Sequence, residues 1–230
     1  MAASEFSQPG TGYEIVEAEP PEVLARNLVT AGHLLASATA FFFLAFVFAY
    51  FYLRSLNNHG MWRPKHVDPS VAWGTVIVVC VVASAVVLQL GLFDHRADRR
   101  DRWRWKGIAA FLLGALALVF QIVAWGELGF GPADGGYASV YVGWTAFYFL
   151  FVLCALFWLE TVLATSWRYR GWASGKVAVA PGEASGDPHR EGEDIRDPVS
   201  LVRAELGSLS FYWTFLVGVG VLTWVVLYLL

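Results

Sequence analysis

"FYWTFLVGVGVLTWVVLYLL", residues Phe211 to Leu230, contains no charged side chain. A helix of roughly 20 apolar residues crosses the ~30 Å hydrocarbon core of a bilayer. Tyr212, Trp213 and Tyr228 stand near the two ends of the stretch, where aromatic side chains suit the membrane interfaces. The stretch therefore predicts a membrane-spanning helix and places the chain among integral membrane proteins.

The composition of the whole chain agrees with this class. Of its 230 residues, 57% are hydrophobic and only 15% are charged, whereas soluble domains carry about 25% charged residues. The net charge of -3 comes from residues concentrated in loops, and no nucleic-acid partner is expected. Residues 1–28 are polar and acidic, without a basic segment before an apolar core, so no secretory signal is expected.

Four more segments are long and apolar enough to span a bilayer. Together with the last stretch they predict an all-α, polytopic bundle of five transmembrane helices. The predicted spans are residues 30–53, 71–92, 107–126, 139–165 and 209–230. The resulting organisation is an N-terminal segment over 1–29, transmembrane helices with loops over 30–165, a loop over 166–208, and a last helix over 209–230.

Lys and Arg are distributed unevenly between the two sides of this arrangement. Thirteen of the 16 lie in the N-terminal segment, the 93–106 loop and the 166–208 loop, and three lie on the other side. Because cytoplasmic loops carry the excess of basic residues, the N-terminus is expected in the cytoplasm and Leu230 at the outer face. Four arginines of the first basic loop are candidates for contact with anionic lipid: Arg99, Arg100, Arg102 and Arg104.

Residues that bind haem or metals are sparse within the predicted spans. Of five histidines, only His33 falls within a span, and both methionines fall outside. Haem iron and copper require such ligands at defined positions, so no haem or metal site formed by this chain alone is expected. Cys80 and Cys154 lie in apolar runs and are expected to be small buried hydrophobes.

A few polar and small residues remain as candidates inside the spans. Glu160 is expected to form a buried ion pair with Arg168 or to pair with a neighbouring subunit, a structural role favoured over a proton relay. Gln89 and Gln121 are expected to bond across helices. Gly218 and Gly220 allow close helix packing. Without an internal repeat or a proline inside a span, these features favour a scaffold subunit over a transporter.

The order of the segments adds a family resemblance. "FFFLAFVFAYFYLRS" is similar to an aromatic helix that ends in Arg. "MWRPKHVDPSVAWG" resembles a Trp-Pro loop before a helix, and "GALALVFQIVAWGEL" resembles a helix built around a Gln. "FYWTFLVGVGVLTWVVLYL" lies where Tyr-Trp-His-Phe-Val-Asp is expected. In this order, the segments resemble a divergent, five-helix bacterial form of heme-copper oxidase (cytochrome c oxidase) subunit III.

Several polar positions of that family are replaced here. The resemblance maps the family's His to Thr214, its Asp to Val217 and one Glu to Thr39. A second Glu maps to Ala124, and a His pair maps to Tyr148 and Phe151. Because a buried charge requires a partner, the set is predicted to have changed as a unit. The resulting candidates for helix packing or a subunit interface are Thr39, Gln121, Tyr148, Phe151, Trp213, Thr214, Gly218 and Gly220.

The resemblance implies a non-catalytic role in a respiratory complex of the bacterial inner membrane. Subunit I would carry the haems and copper, reduce oxygen to water and pump protons, and subunit II would belong to the same complex. Subunit III would stabilise subunit I and hold phospholipids. A related protein of nitric oxide reductase, an independent transporter and an assembly factor remain alternatives.

Overall fold

The computed structural model describes residues 21–57, 60–97, 99–168 and 198–230. Their side chains are described except at 21, 22, 100, 168 and 198–202. Five α-helices follow one another: α1 Pro21–Ser55, α2 Val71–Arg96, α3 Arg100–Gly126, α4 Gly136–Arg168 and α5 Pro198–Trp224. A π-helical turn, Val225–Leu229, continues α5.

All five helices are long and apolar enough to cross a membrane. The segments that meet this criterion are Val23–Ser55, Val71–Arg96, Asp101–Gly126, Gly136–Trp167 and Arg203–Leu229. The structure confirms the prediction of an all-α bundle of five such helices. These five helices make the chain a multi-pass membrane protein. Helices suit a bilayer because each satisfies its interior backbone hydrogen bonds within its own segment.

The helices extend beyond the apolar stretches that revealed them. Residues 93–106, predicted as a loop, are mostly helical, and 97–99 connect α2 to α3. The helix α5 likewise begins at Pro198, inside the predicted 166–208 loop. Arg and Lys have good helix propensity, and their long side chains reach water while the backbone remains helical. Hydropathy therefore marks where the hydrocarbon ends and not where the helix ends.

The bundle has a basic end and an aromatic end. The basic end comprises the start of α1, the α2–α3 connection, the end of α4 and the start of α5. The aromatic end comprises residues 56–57, 60–70 and 127–135 together with the π-helical turn. The most extensive helix contact is between α2 and α3, and α5 packs against α1, α2 and α4. Ser84 of α2 donates a hydrogen bond to the carbonyl oxygen of Ala110 of α3 at 2.7 Å.

Aromatic residues fill much of the interior. The largest fully buried side chains include Trp103, Trp144, Trp213, Tyr50, Tyr137 and Tyr141. At the aromatic end, the loop after α1 folds over the start of α4, where the Tyr137 amide donates to the Trp62 carbonyl oxygen at 2.9 Å. Gly135 adopts φ 137° beside Met61 and Pro64, a conformation that a side chain would strain.

The two cysteines differ in their burial. Cys80 is half-buried and Cys154 is exposed, so the prediction that both are buried is wrong for the chain itself. A thiol behaves as a small hydrophobe, and hydrocarbon outside the bundle solvates it as well as a protein core does. An apolar run in a membrane protein therefore does not indicate which of its residues face inward.

Candidate functional site

The helix α5 receives polar contacts from three helices within the segment Tyr212–Leu216. The first contact joins α1 to α5: the Thr39 hydroxyl lies 3.1 Å from the Tyr212 hydroxyl, and both residues are buried. Thr39 also donates to the Leu35 carbonyl oxygen at 2.7 Å. With its own proton used in that bond, Thr39 accepts the proton of Tyr212.

The other two contacts come from α2 and α4. Gln89 of α2 donates from Nε2 to the Thr214 hydroxyl at 2.7 Å. Tyr148 of α4 donates to the Leu216 carbonyl oxygen at 3.2 Å. Thr39, Tyr148 and Thr214 all map to polar positions of the resembled family. Here each forms a neutral hydrogen bond that fastens helices together, and each hydroxyl proton is satisfied.

The remaining aromatic candidates pack without polar contacts. Phe151 is half-buried, and its ring centroid lies 5.5 Å from those of Phe42 and Phe43. Trp213 is 1% exposed, and its indole lies about 3.1 Å from where a Cβ on Gly114 would stand. Phe151 and Trp213 thus support the packing of α1 on α4 and of α3 on α5. These contacts consist of dispersion and apolar burial.

The two glycines of α5 face different surroundings. Gly220 is buried against Tyr148, and a Cβ there would clash with the phenol ring, whose Cζ would be 2.9 Å away. Gly218 faces outward, and no atom lies within 4 Å of where its Cβ would stand. Gly220 therefore packs within the bundle. Gly218 contributes nothing to internal packing and remains a candidate for the surface that meets another subunit.

An ion pair joins α2 to α3 at the basic end. The Lys106 ammonium lies 2.6 Å from the Asp94 carboxylate, and the Arg99 guanidinium lies 3.7 Å from the same group. The Asp94 side chain is 11% exposed, against 36% for Lys106. Asp94 was not singled out from the sequence, and Arg99 was singled out only as a candidate for lipid contact. The signal was available, because Asp94 is an acid at the end of an apolar run, next to a cluster of bases.

Arg104 occupies the interior and not the lipid surface. Its guanidinium donates to the Ser166 carbonyl oxygen at 2.8 Å and to Asp101 at 3.1 Å. Trp103 donates to the Ser166 hydroxyl at 3.2 Å. With 5% of its surface exposed, Arg104 locks α3 to the end of α4. Protein acceptors occupy the guanidinium, and its expected contact with anionic lipid stays a prediction.

The other arginines of this group remain on the surface. Arg99 and Arg102 are exposed, and Arg99 stands beside Asp94. The side chain of Arg100 lies outside the described residues. Two exposed arginines therefore keep the position that a lipid headgroup would contact.

The predicted ion pair between Glu160 and Arg168 falls partly outside the described residues. Glu160 is exposed on α4, and the side chain of Arg168 lies outside the described residues. A different acid is held between α4 and α5: the Trp158 indole donates to Glu205 at 3.2 Å. Sequence reasoning missed Glu205 because residues 198–208 were taken for a loop, whereas they form the first turns of α5.

At the aromatic end, polar side chains surround two cavities. The Trp73 indole donates to Glu127 at 2.6 Å, and the Tyr141 and Tyr228 hydroxyls lie 2.8 Å apart. The outer cavity has a volume of about 130 Å³ and is lined by Asp68, Trp73, Glu127 and Tyr141 among others. Tyr228 lines a second, inner cavity. The hydrogen-bonded tyrosine pair therefore lies between the two cavities.

The inner cavity contains Gln121. It lies among α2, α3, α4 and α5, and its polar lining consists of Gln121, Thr145, Tyr148, Thr223, Trp224 and Tyr228. Gln121 is 5% exposed, and its Nε2 has no hydrogen-bond partner among the described residues. The expectation of a cross-helix bond is met by Gln89, while the Gln121 amide lies at the wall of a cavity.

Within the described ranges, no group of three His, Cys, Asp or Glu side chains is placed to hold a metal ion. The polar contacts described above join neighbouring helices. A scan against protein-family models and a search of curated proteins find no match for the chain.

Proposed function

We propose that this chain is a non-catalytic subunit of a respiratory heme-copper oxidase, corresponding to subunit III. It packs on the catalytic subunit I in the bacterial inner membrane, in a complex that also contains subunit II. Its basic end faces the cytoplasm, as the distribution of Lys and Arg favours. Haems and copper belong to subunit I, and no electron carrier is assigned to this chain.

One observation carries the proposal beyond the sequence resemblance. The family resemblance assigns ionisable groups to three positions, which are Thr39, Tyr148 and Thr214 in this chain. Each of the three takes part in a hydrogen bond between α5 and another helix, and all three bonds fall within residues 212–216 of α5. Groups that meet at one helix can be replaced together, because no buried charge is left without its partner. Loss of the family's charges therefore leaves the packing of the helices intact, which supports a scaffold role.

The surface of the bundle also supports a subunit role. On α1, the exposed fraction reaches 75% for Phe41 and 70% for Phe48, and Leu34 is 66% exposed. Large apolar surfaces of membrane helices face either lipid or another subunit. The open face of α5 at Gly218 offers a place where a second helix approaches closely, since small residues let backbones meet.

A purification tests the proposal directly. The chain is tagged in its native host, extracted in a gentle detergent, and analysed by haem spectroscopy and mass identification of the co-purifying proteins. Co-elution with a haem- and copper-containing oxygen reductase supports the proposal. Co-elution with a nitric oxide reductase assigns the chain to that related complex instead. A stable, haem-free protein without partners contradicts a subunit role and favours a transporter or an assembly factor.

A further inference from the structure

We infer that the inner cavity around Gln121 is a binding site for ordered water inside the membrane-spanning bundle. The cavity lies among α2, α3, α4 and α5, and its polar lining includes Gln121, Thr145, Tyr148 and Thr223. The inference concerns a site within this chain and does not depend on the identity of a partner subunit.

The Gln121 side chain holds an unpaired hydrogen-bond donor at the wall of the inner cavity. The Gln121 side chain is buried, with 5% of its surface exposed. Its Nε2 has no hydrogen-bond partner in the described part of the chain. A buried amide group without a hydrogen bond costs about 1–3 kcal/mol. In a bilayer, no bulk solvent reaches the group to recover that energy. A molecule that accepts a hydrogen bond inside the cavity removes this cost.

Three hydroxyl groups in the same wall donate to backbone carbonyl oxygens. Thr145 donates to the Tyr141 carbonyl oxygen at 2.8 Å. Thr223 donates to the Val219 carbonyl oxygen at 2.7 Å. Tyr148 donates to the Leu216 carbonyl oxygen. Each hydroxyl uses its proton on the backbone. Thr145 also accepts from the Trp125 indole at 3.1 Å, and each oxygen keeps at least one lone pair as an acceptor. The wall therefore offers one amide donor together with hydroxyl acceptors.

The occupant must accept one hydrogen bond and donate others, which is the capacity of water. Ordered water inside proteins typically makes about three hydrogen bonds and needs a volume of at least about 10–15 Å³ open to its centre. Measured in that way, the inner cavity offers about 20 Å³. This volume suits one or two water molecules and is too small for a lipid headgroup or an organic ligand.

A hydrogen-bonded tyrosine pair joins the linings of the two cavities at the aromatic end. Tyr228 lines the inner cavity and Tyr141 lines the outer one, and their hydroxyls are hydrogen-bonded at 2.8 Å. The outer cavity carries the carboxylates of Asp68 and Glu127, both of which are exposed.

Hydroxyl-radical labelling with mass spectrometry tests the site in the full chain reconstituted in lipid nanodiscs. Radicals form from water, so a buried side chain beside bound water is labelled faster than an equally buried one beside none. Tyr148, 6% exposed, is the reporter, and Tyr212, 2% exposed and outside the cavity lining, is its matched reference. We expect Tyr148 to be labelled several-fold faster than Tyr212.

Gln121→Leu removes the donor and is expected to lower the labelling rate of Tyr148 to that of Tyr212. Gln89→Leu, the same change at a glutamine outside the cavity lining, is the control and should leave Tyr148 labelling high. Equal labelling of Tyr148 and Tyr212 in the unaltered chain overturns the inference, and this comparison requires no variant to fold. Fast labelling of Tyr148 that persists in Gln121→Leu also overturns it.

Discussion

The Lys106 ammonium and the Asp94 carboxylate lie 2.6 Å apart across the α2–α3 connection. Asp94 is the more enclosed partner, with 11% of its side chain exposed. Lys106 reaches the carboxylate from the second turn of α3, and the apolar part of its side chain lies near Gly91. The ion pair therefore joins α2 to α3 at the basic end. These two helices share the most extensive contact in the bundle.

Asp94→Asn is expected to lower the free energy of unfolding, because it removes the charge-assisted hydrogen bond between the carboxylate and the Lys106 ammonium. The change keeps the volume of the side chain and removes its charge, so the loss reports the ion pair. Thermal unfolding in detergent measures it. Asp68→Asn is the matched control: Asp68 pairs with Arg63 at 2.5 Å but is 76% exposed, and a loss below about 1 kcal/mol is expected. Equal losses in the two variants would contradict the role assigned to burial.

Arg104→Lys is expected to destabilise the chain by about 1–3 kcal/mol, because an ammonium cannot reproduce the forked contacts of a guanidinium. Those contacts reach Asp101 and Ser166. The exposed Arg102 provides the control, and Arg102→Lys should leave the melting temperature unchanged. An Arg104→Lys variant with the same melting temperature as the unaltered protein would show that the link to α4 does not contribute to stability.

Arg99→Ala combined with Arg102→Ala is expected to reduce retention of anionic phospholipid, since both side chains are exposed at the basic end and basic residues near the surface attract such lipids by about 1 kcal/mol each. Native mass spectrometry in detergent counts the lipids that remain bound. Arg63→Ala at the opposite end serves as the control. Unchanged retention in the double variant would remove these arginines as lipid contacts.

Gly220→Ala is expected to cost about 1–3 kcal/mol, because the added methyl group overpacks the contact with Tyr148. Gly218→Ala adds the same methyl group where no atom lies within 4 Å. It should be neutral or slightly stabilising in the isolated chain, since Ala has the higher helix propensity. Thermal unfolding of the two variants side by side decides the matter. In the assembled complex, Gly218→Leu should weaken retention of the chain if a partner helix covers this face.

A double-mutant cycle with Thr39→Val and Tyr212→Phe isolates the α1–α5 hydrogen bond. A coupling energy of about 0.6 kcal/mol is the average for such bonds between membrane helices. Thr39→Val alone leaves the buried Tyr212 hydroxyl without its acceptor, so the double variant should be less destabilised than the two single losses predict. A coupling energy of zero would mean that the two hydroxyls are neighbours without an energetic link.

The interior polar contacts were predictable in kind but not in detail. The resemblance singled out Thr39, Tyr148 and Thr214. In the structure, each of them takes part in a hydrogen bond between α5 and another helix. Neither their partners nor the convergence on α5 follows from spacing along the chain. Gln89 and Gln121 are the same residue type in similar apolar runs, yet one finds a partner and the other faces a cavity.

By itself, the sequence determined the number of helices and their membrane character, because the length and hydropathy of a segment are local properties that the bilayer tests one helix at a time. Which face of each helix turns inward was decided by the tertiary structure alone. Hydrocarbon and protein core are equally apolar, so neither hydrophobicity nor periodicity separates Gly218 from Gly220 or a lipid-facing Cys154 from a buried neighbour. Side-chain shape and hydrogen bonding between helices make that choice, and they exist only once the helices have met.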